Sequence, residues 1–109
     1  MSVQRYRRKP ERNDRGDQFA ARFDPDQPLD DLREVACMAD RCAELATAMF
    51  PSGPLLVVRW TRVPDYHPAE VEYVTVEPGQ FLAYSTGSDF LYDSDEADWR
   101  QFYDLVSES

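Results

Sequence analysis

Glu70-Val-Glu-Tyr-Val-Thr-Val76, Glu77-Pro-Gly-Gln80, Phe81-Leu-Ala-Tyr-Ser85, Thr86-Gly-Ser-Asp89 and Phe90-Leu-Tyr92 follow one another without interruption. Three short segments rich in β-branched and aromatic residues are separated by two turn signals, Pro78-Gly79 and Gly87-Ser88. Such spacing predicts strands near 71–76, 81–85 and 89–92, joined as a β-meander. Asp93-Ser-Asp-Glu96 then opens a segment carrying Trp99, Phe102, Tyr103 and Val106 at i, i+3, i+4 and i+7. A short helix is the simplest reading, with Asp93 and Glu96 in capping-box positions. Its end, Phe102 to Val106, reads equally well as an edge strand. The rest of the chain has to pack onto this run.

Upstream, Leu55-Leu-Val-Val-Arg-Trp-Thr61 alternates strongly, with Leu56, Val58 and Trp60 on one face. Its second face also begins apolar, which suits a central strand. Leu29 to Phe50 reads as one long helix. Leu32, Val35, Ala36, Ala39, Ala43, Ala46 and Phe50 form a stripe about 100° wide, the width of a core-facing helix. Pro28 and the acids Asp30, Asp31 and Glu34 suit its start, and Pro51, Gly53 and Pro54 its end. Gln18 to Phe23 is a short strand, closed by Asp24-Pro-Asp-Gln-Pro28.

The fold expected is α+β: an antiparallel sheet of four to five strands, one long helix packed on one face, and a short C-terminal aromatic segment closing an edge. At 109 residues the chain is long enough for a single core. Residues 18–109 are read as that domain and residues 1–17 as a basic flexible arm.

Charge divides the same way. Residues 1–15 hold six basic and two acidic groups, a net of +4, within a chain whose net charge is −9, so the remainder carries −13. An acidic body argues against general nucleic-acid binding, which requires a basic face. No stretch approaches the ~20 apolar residues needed to cross a bilayer, and the N-terminus has no apolar run typical of a secretory signal. Cys37 and Cys42, placed on one helix, point apart and do not bridge. Free thiols in such a chain suit a reducing cytoplasm.

The opening Arg5-Tyr-Arg-Arg-Lys-Pro10, the turn Pro78-Gly-Gln-Phe81, the aromatic after a glycine in Gly87-Ser-Asp-Phe90, and Trp99 with Phe102-Tyr103 resemble a group of small tailed-phage proteins. Those proteins share a Tyr-Arg-Lys-Lys-Pro-like start, a Pro-Gly-Asp-Trp-like turn and a Phe…Tyr end. The match covers both ends and leaves the helical region uncovered. It departs at Gln80, where Asp is usual, and in the acidic run 93–98, where Lys and Pro are usual. The resemblance implies a phage accessory protein acting in a bacterial host cytoplasm, and it supplies no catalytic residues.

The chemistry-bearing residues point the same way. His67, the one histidine, sits between Tyr66 and Pro68 in a loop, and Cys37 and Cys42 have the wrong spacing to join it at a zinc site. Asp93, Asp95, Glu96 and Asp98 imitate a calcium loop but lack its central Gly and its distant bidentate Glu, so a solvated helix start explains them better. Ser85, Thr86 and Ser88 stand in no nucleophile-elbow context, and four glycines form no phosphate loop. Glu70, Glu72 and Glu77 read as the wet face of the meander. The basic arm reads as a solvated tail, as a first strand docked through Tyr6, or as a tether for an anionic surface.

No enzyme, cofactor or metal is therefore expected. Tyr66, His67, Trp99 and Tyr103, with Asp93, Asp95, Glu96 and Asp98, are the candidate interaction residues. The expected partner is a host bacterial protein, met as a monomer or homodimer, with no nucleic acid or membrane involved. The alternative is an acidic nucleic-acid mimic that occupies a DNA-binding host or defence protein.

Overall fold

The computed structural model describes residues 3–8, 17–63, 66–86, 89–95, 97 and 103–108. In chain order these form β1 (Gln4–Arg8), β2 (Asp17–Arg22), α1 (Asp30–Ala39), β3 (Glu44–Phe50), β4 (Gly53–Arg62), β5 (Glu70–Val76), β6 (Phe81–Ser85), β7 (Phe90–Ser94) and β8 (Tyr103–Glu108). The class is α+β, as expected, but the strands divide between two antiparallel sheets. One runs β7-β6-β2-β1-β8 and the other β3-β4-β5. The described core is built from three strands of each, β7-β6-β2 against β3-β4-β5.

The first correction concerns the helix. α1 stops at Ala39, and the second half of the expected helix is the strand β3. Asp40 turns the chain out at φ −151°. One carboxylate oxygen accepts the N–H of Cys42 at 2.9 Å and the other the N–H of Thr61 on β4 at 2.8 Å. An Asp side chain that satisfies backbone two residues on offers the chain an alternative to helix. Beyond it, β3 pairs with β4 from Glu44↔Arg59 to Phe50↔Gly53. Pro51, Gly53 and Pro54, read as a helix stop, serve that hairpin instead: Pro51-Ser52 is its turn, and Gly53 follows at φ +123°, a conformation that favours glycine. Ala46 and Phe50 of the apparent stripe are exposed. Leu32, Val35 and Ala36 on α1 are buried, as is Ala43 beyond it.

The second correction concerns the meander. Among the described residues β5 pairs with β4 alone, while β6 pairs with β2 and β7. Glu77-Pro-Gly-Gln80 is the turn it promised to be, with the Gln80 N–H on the Glu77 carbonyl at 3.0 Å and Gly79 at φ +89°. Proline at the second place and a positive-φ glycine at the third follow the type II pattern. It does not close a hairpin. Phe23 exchanges backbone bonds with Gln80 and Gly79, at 2.8 and 2.9 Å. This captures the chain on β2 and carries it from one sheet to the other.

A third correction lies at the acidic run. β7 continues through Ser94, so Asp93 is a strand residue and not the start of a helix. Residues 103–108 form the edge strand β8, the second of the two readings for that segment. Trp99 and Phe102 lie outside the described residues. Of the segment read as a flexible arm, Gln4–Arg8 are paired on both sides, with β2 and with β8. Cys42 lies beyond α1, so the two thiols do not share a helix; both are free.

Trp60 occupies the position expected of it, on the central strand β4 and 2% exposed. Around it lie Phe23, Leu32, Val35, Leu56, Val58, Val76, Leu82 and Leu91. α1 packs against β2 and β6 and reaches β4 and β7. A smaller cluster, Ala20, Phe81 and Ala83 with Tyr92 against it, closes the second face of the larger sheet. On that face Gln18 is 1% exposed and joins three strands. Its amide nitrogen donates to Ser85 Oγ at 2.9 Å, and its oxygen accepts from the Tyr92 hydroxyl at 2.7 Å.

Candidate functional site

β5 and β7 are outer strands of their respective sheets, and they come close together without pairing. Trp60 brings them together. Its indole meets the Phe90 ring edge-on, centroids 5.4 Å apart and planes at 83°, a favoured aromatic geometry that joins β4 to β7. The seam leaves a groove of about 260 Å³. Trp60 and Leu91 are its most deeply buried lining residues. Glu72, Tyr73, Val74 and Thr75 form one wall, and Phe90, Tyr92 and Asp93 the other. The guanidinium of Arg62 lies 5.1 Å over the Phe90 ring. Neither the Glu72 nor the Asp93 carboxylate has an ion-pair or hydrogen-bond partner among the described residues. The Trp60 indole N–H, also buried, has none there either.

A second surface adjoins the groove through Tyr73. Antiparallel pairing puts directly opposed residues on one face. The face of the three-stranded sheet turned away from the core therefore carries Ala46, Ala48 and Phe50 of β3, Leu55 and Val57 of β4, and Val71, Tyr73 and Thr75 of β5. Phe50, Val71 and Tyr73 are 42%, 48% and 64% exposed. The charged groups on this face, Arg59 and Glu44, form an exposed ion pair at 3.7 Å. Pairs of that kind contribute little.

The residues singled out from sequence are scattered. Tyr66 is fully exposed at φ +66° and His67 is exposed beside it. Asp93 lines the groove. Asp95 lies just past β7 and accepts a hydrogen bond from the Gln80 amide at 2.6 Å. Tyr103 begins β8, while Glu96, Asp98 and Trp99 lie outside the described residues. Sequence reasoning misses Val71, Tyr73 and Phe90 as surface or groove residues, and reads Glu72 as wet without placing it in a groove. The alternation of Val71 and Tyr73 with Glu70 and Glu72 carries the signal: Glu70 is exposed, as its charge suggests, but so are Val71 and Tyr73 on the opposite side. In β5 it is Val74 and Val76 that face the core, with Glu72 on their side of the strand.

Among the described residues no group of three or more His, Cys, Asp or Glu is placed to hold a metal ion. No helix among them is long and apolar enough to cross a membrane. Comparisons with protein-family models, curated proteins and solved structures gave no match.

Proposed function

We propose that this chain is a non-enzymatic interaction protein that binds and modulates a host bacterial protein, in the manner of the phage accessory proteins it resembles. The observation that carries this reading is the uncovered face of the three-stranded sheet, with Phe50, Val71 and Tyr73 standing out to solvent. Exposed apolar residues gathered on one face of a small domain mark a surface that is covered in use. Tyr73 and the fully exposed Tyr66 are anchors of the kind interfaces favour, amphipathic and inexpensive to order. The bacterial host and the modulating role rest on the sequence resemblance.

The acidic nucleic-acid mimic is the second reading, favoured by the net −13 carried outside residues 1–15. Salt separates the two. Carboxylate rows facing a basic groove lose their attraction as screening shortens to a few ångströms, whereas a buried apolar contact keeps its affinity. A partner captured from a bacterial lysate is titrated with the chain at low and high salt. The expected loss between about 50 and about 500 mM is below tenfold, ~1.4 kcal/mol. Tyr73→Ala and Tyr66→Ala weaken binding more than joint neutralisation of Asp93, Asp95, Glu96 and Asp98. Abolition of binding by salt and by the acid variant, with both tyrosine variants intact, establishes the mimic instead.

A further inference from the structure

The groove between β5 and β7 adjoins the sheet face through Tyr73 and Thr75 but has a chemistry of its own. Neither β5 nor β7 contains a basic residue, and both walls contribute a carboxylate, Glu72 and Asp93. Neither carboxylate is paired among the described residues. Tyr73 and Phe90 add aromatic surface on opposite walls. The adjoining Arg62, stacked at 5.1 Å on Phe90, shows a guanidinium already accommodated by a ring of this groove. About 260 Å³ falls short of the roughly 300–1,000 Å³ typical of pockets for drug-sized ligands. One long side chain of a larger partner suits it better.

We infer that this groove receives an arginine side chain of the partner, presented on an extended segment. The inference rests on the protein-binding reading above and specifies what that partner carries. A guanidinium satisfies both requirements of the site at once. Its planar donor fork bonds carboxylates, and its face stacks on an aromatic ring. It is also less strongly hydrated than an ammonium, so entering a half-enclosed groove is easier for arginine than for lysine. The segment that carries it has backbone partners nearby. Among the described residues β5 is bonded only to β4, so its second edge has N–H and C=O groups to offer an added strand.

The test is a nitrogen-resolved NMR titration of the full chain with N-acetyl-arginine N-methylamide. The citrulline analogue, nearly the same in shape but uncharged, serves as the control. Saturable shifts are expected at the Trp60 indole N–H and at the amides of Glu72–Thr75 and Phe90–Asp93, with the citrulline compound binding at least about tenfold more weakly. Glu72→Gln with Asp93→Asn lowers the arginine affinity at least about tenfold. The same spectrum reports whether that variant is folded; if it is not, Glu72→Gln alone is measured and is expected to weaken binding in the same sense. Equal binding of the two compounds overturns the inference, as do shifts spread over the acidic surface or a folded variant that binds as before.

The protein-binding reading fails separately. If the arginine compound does not bind but Tyr73→Ala still weakens the captured partner, only the arginine assignment falls. If the compound binds while sheet-face substitutions leave every partner affinity unchanged, the arginine site stands without that reading.

Discussion

The carboxylate of Asp40 holds the backbone N–H of Thr61 at 2.8 Å, fastening the exit of the helix to the middle of a sheet 21 residues downstream. Its second oxygen holds the N–H of Cys42. These two bonds keep the Asp40 carboxyl below its ordinary pKa, more than offsetting the desolvation that pushes it up. A depressed carboxylate contributes stability that is complete above its unfolded pKa and is lost as pH falls through the folded value. Asp40→Ala is expected to lower stability by about 1–2 kcal/mol at neutral pH. It should also flatten the acid limb of stability against pH below about 4. Denaturant midpoints of the two proteins between neutral pH and about pH 2 measure both effects.

Gln18 is the only described residue whose side chain ties β2, β6 and β7 together. Gln18→Ala leaves the Ser85 and Tyr92 hydroxyls without that partner on a closed face. The expected loss is about 2–3 kcal/mol, from two hydrogen bonds lost together on that face. Tyr92→Phe removes one bond and leaves Gln18 its other, for about 1 kcal/mol. Equal losses in the two variants, read from urea unfolding, count against a shared network.

Trp60→Ala is expected to cost about 3–5 kcal/mol, the range for a buried large aromatic. Trp60→Phe should cost far less than this. The indole N–H has no hydrogen-bond partner among the described residues, so only area and shape change. If Trp60→Phe is as damaging as Trp60→Ala, the N–H has a structural role.

Tyr84 donates its hydroxyl to Asp89 at 2.7 Å. Burial raises its pKa to about 12, and the hydrogen bond and negative charge of Asp89 push in the same direction. A raised pKa means the folded chain holds the proton more tightly than the unfolded one. The associated stability is fully present below about pH 10 and is lost as pH rises towards about 12. Tyr84→Phe removes that slope. Absorbance titration of tyrosinate, alongside stability measured at pH 9 to 12, checks the sign.

Much of this architecture was legible locally. Leu56, Val58 and Trp60 announced a central strand by their period, and Pro78-Gly79 announced a turn by its backbone chemistry. What local signals could not supply was the partner of each strand. Glu44 to Phe50 is composed mostly of good helix formers and continues a helical stripe, yet β4 needed a second neighbour and Asp40 offered the chain a way out. Pro51 and Gly53 serve a hairpin as well as a helix stop, so punctuation alone did not decide. The groove was beyond reach for the same reason. Glu72 and Asp93 are 21 residues apart in sequence, and only the crossing at Glu77–Gln80 brings their strands to one seam.

β1 lies inside the five-stranded sheet, with β2 on one side and β8 on the other. Its first partner is close in sequence, but its second, in the pairing of Gln4 with Glu108, spans nearly the whole length of the chain. As the protein emerges from the ribosome, β1 and β2 can meet early, while the far edge of β1 waits for β8. Until then the nascent sheet exposes a row of unpaired backbone groups, the kind of edge that invites pairing with other chains. Closure of so long a loop is also slow compared with the local hairpin of β3 and β4. The position of a single strand thus constrains assembly: the larger sheet is incomplete until β8 has joined β1.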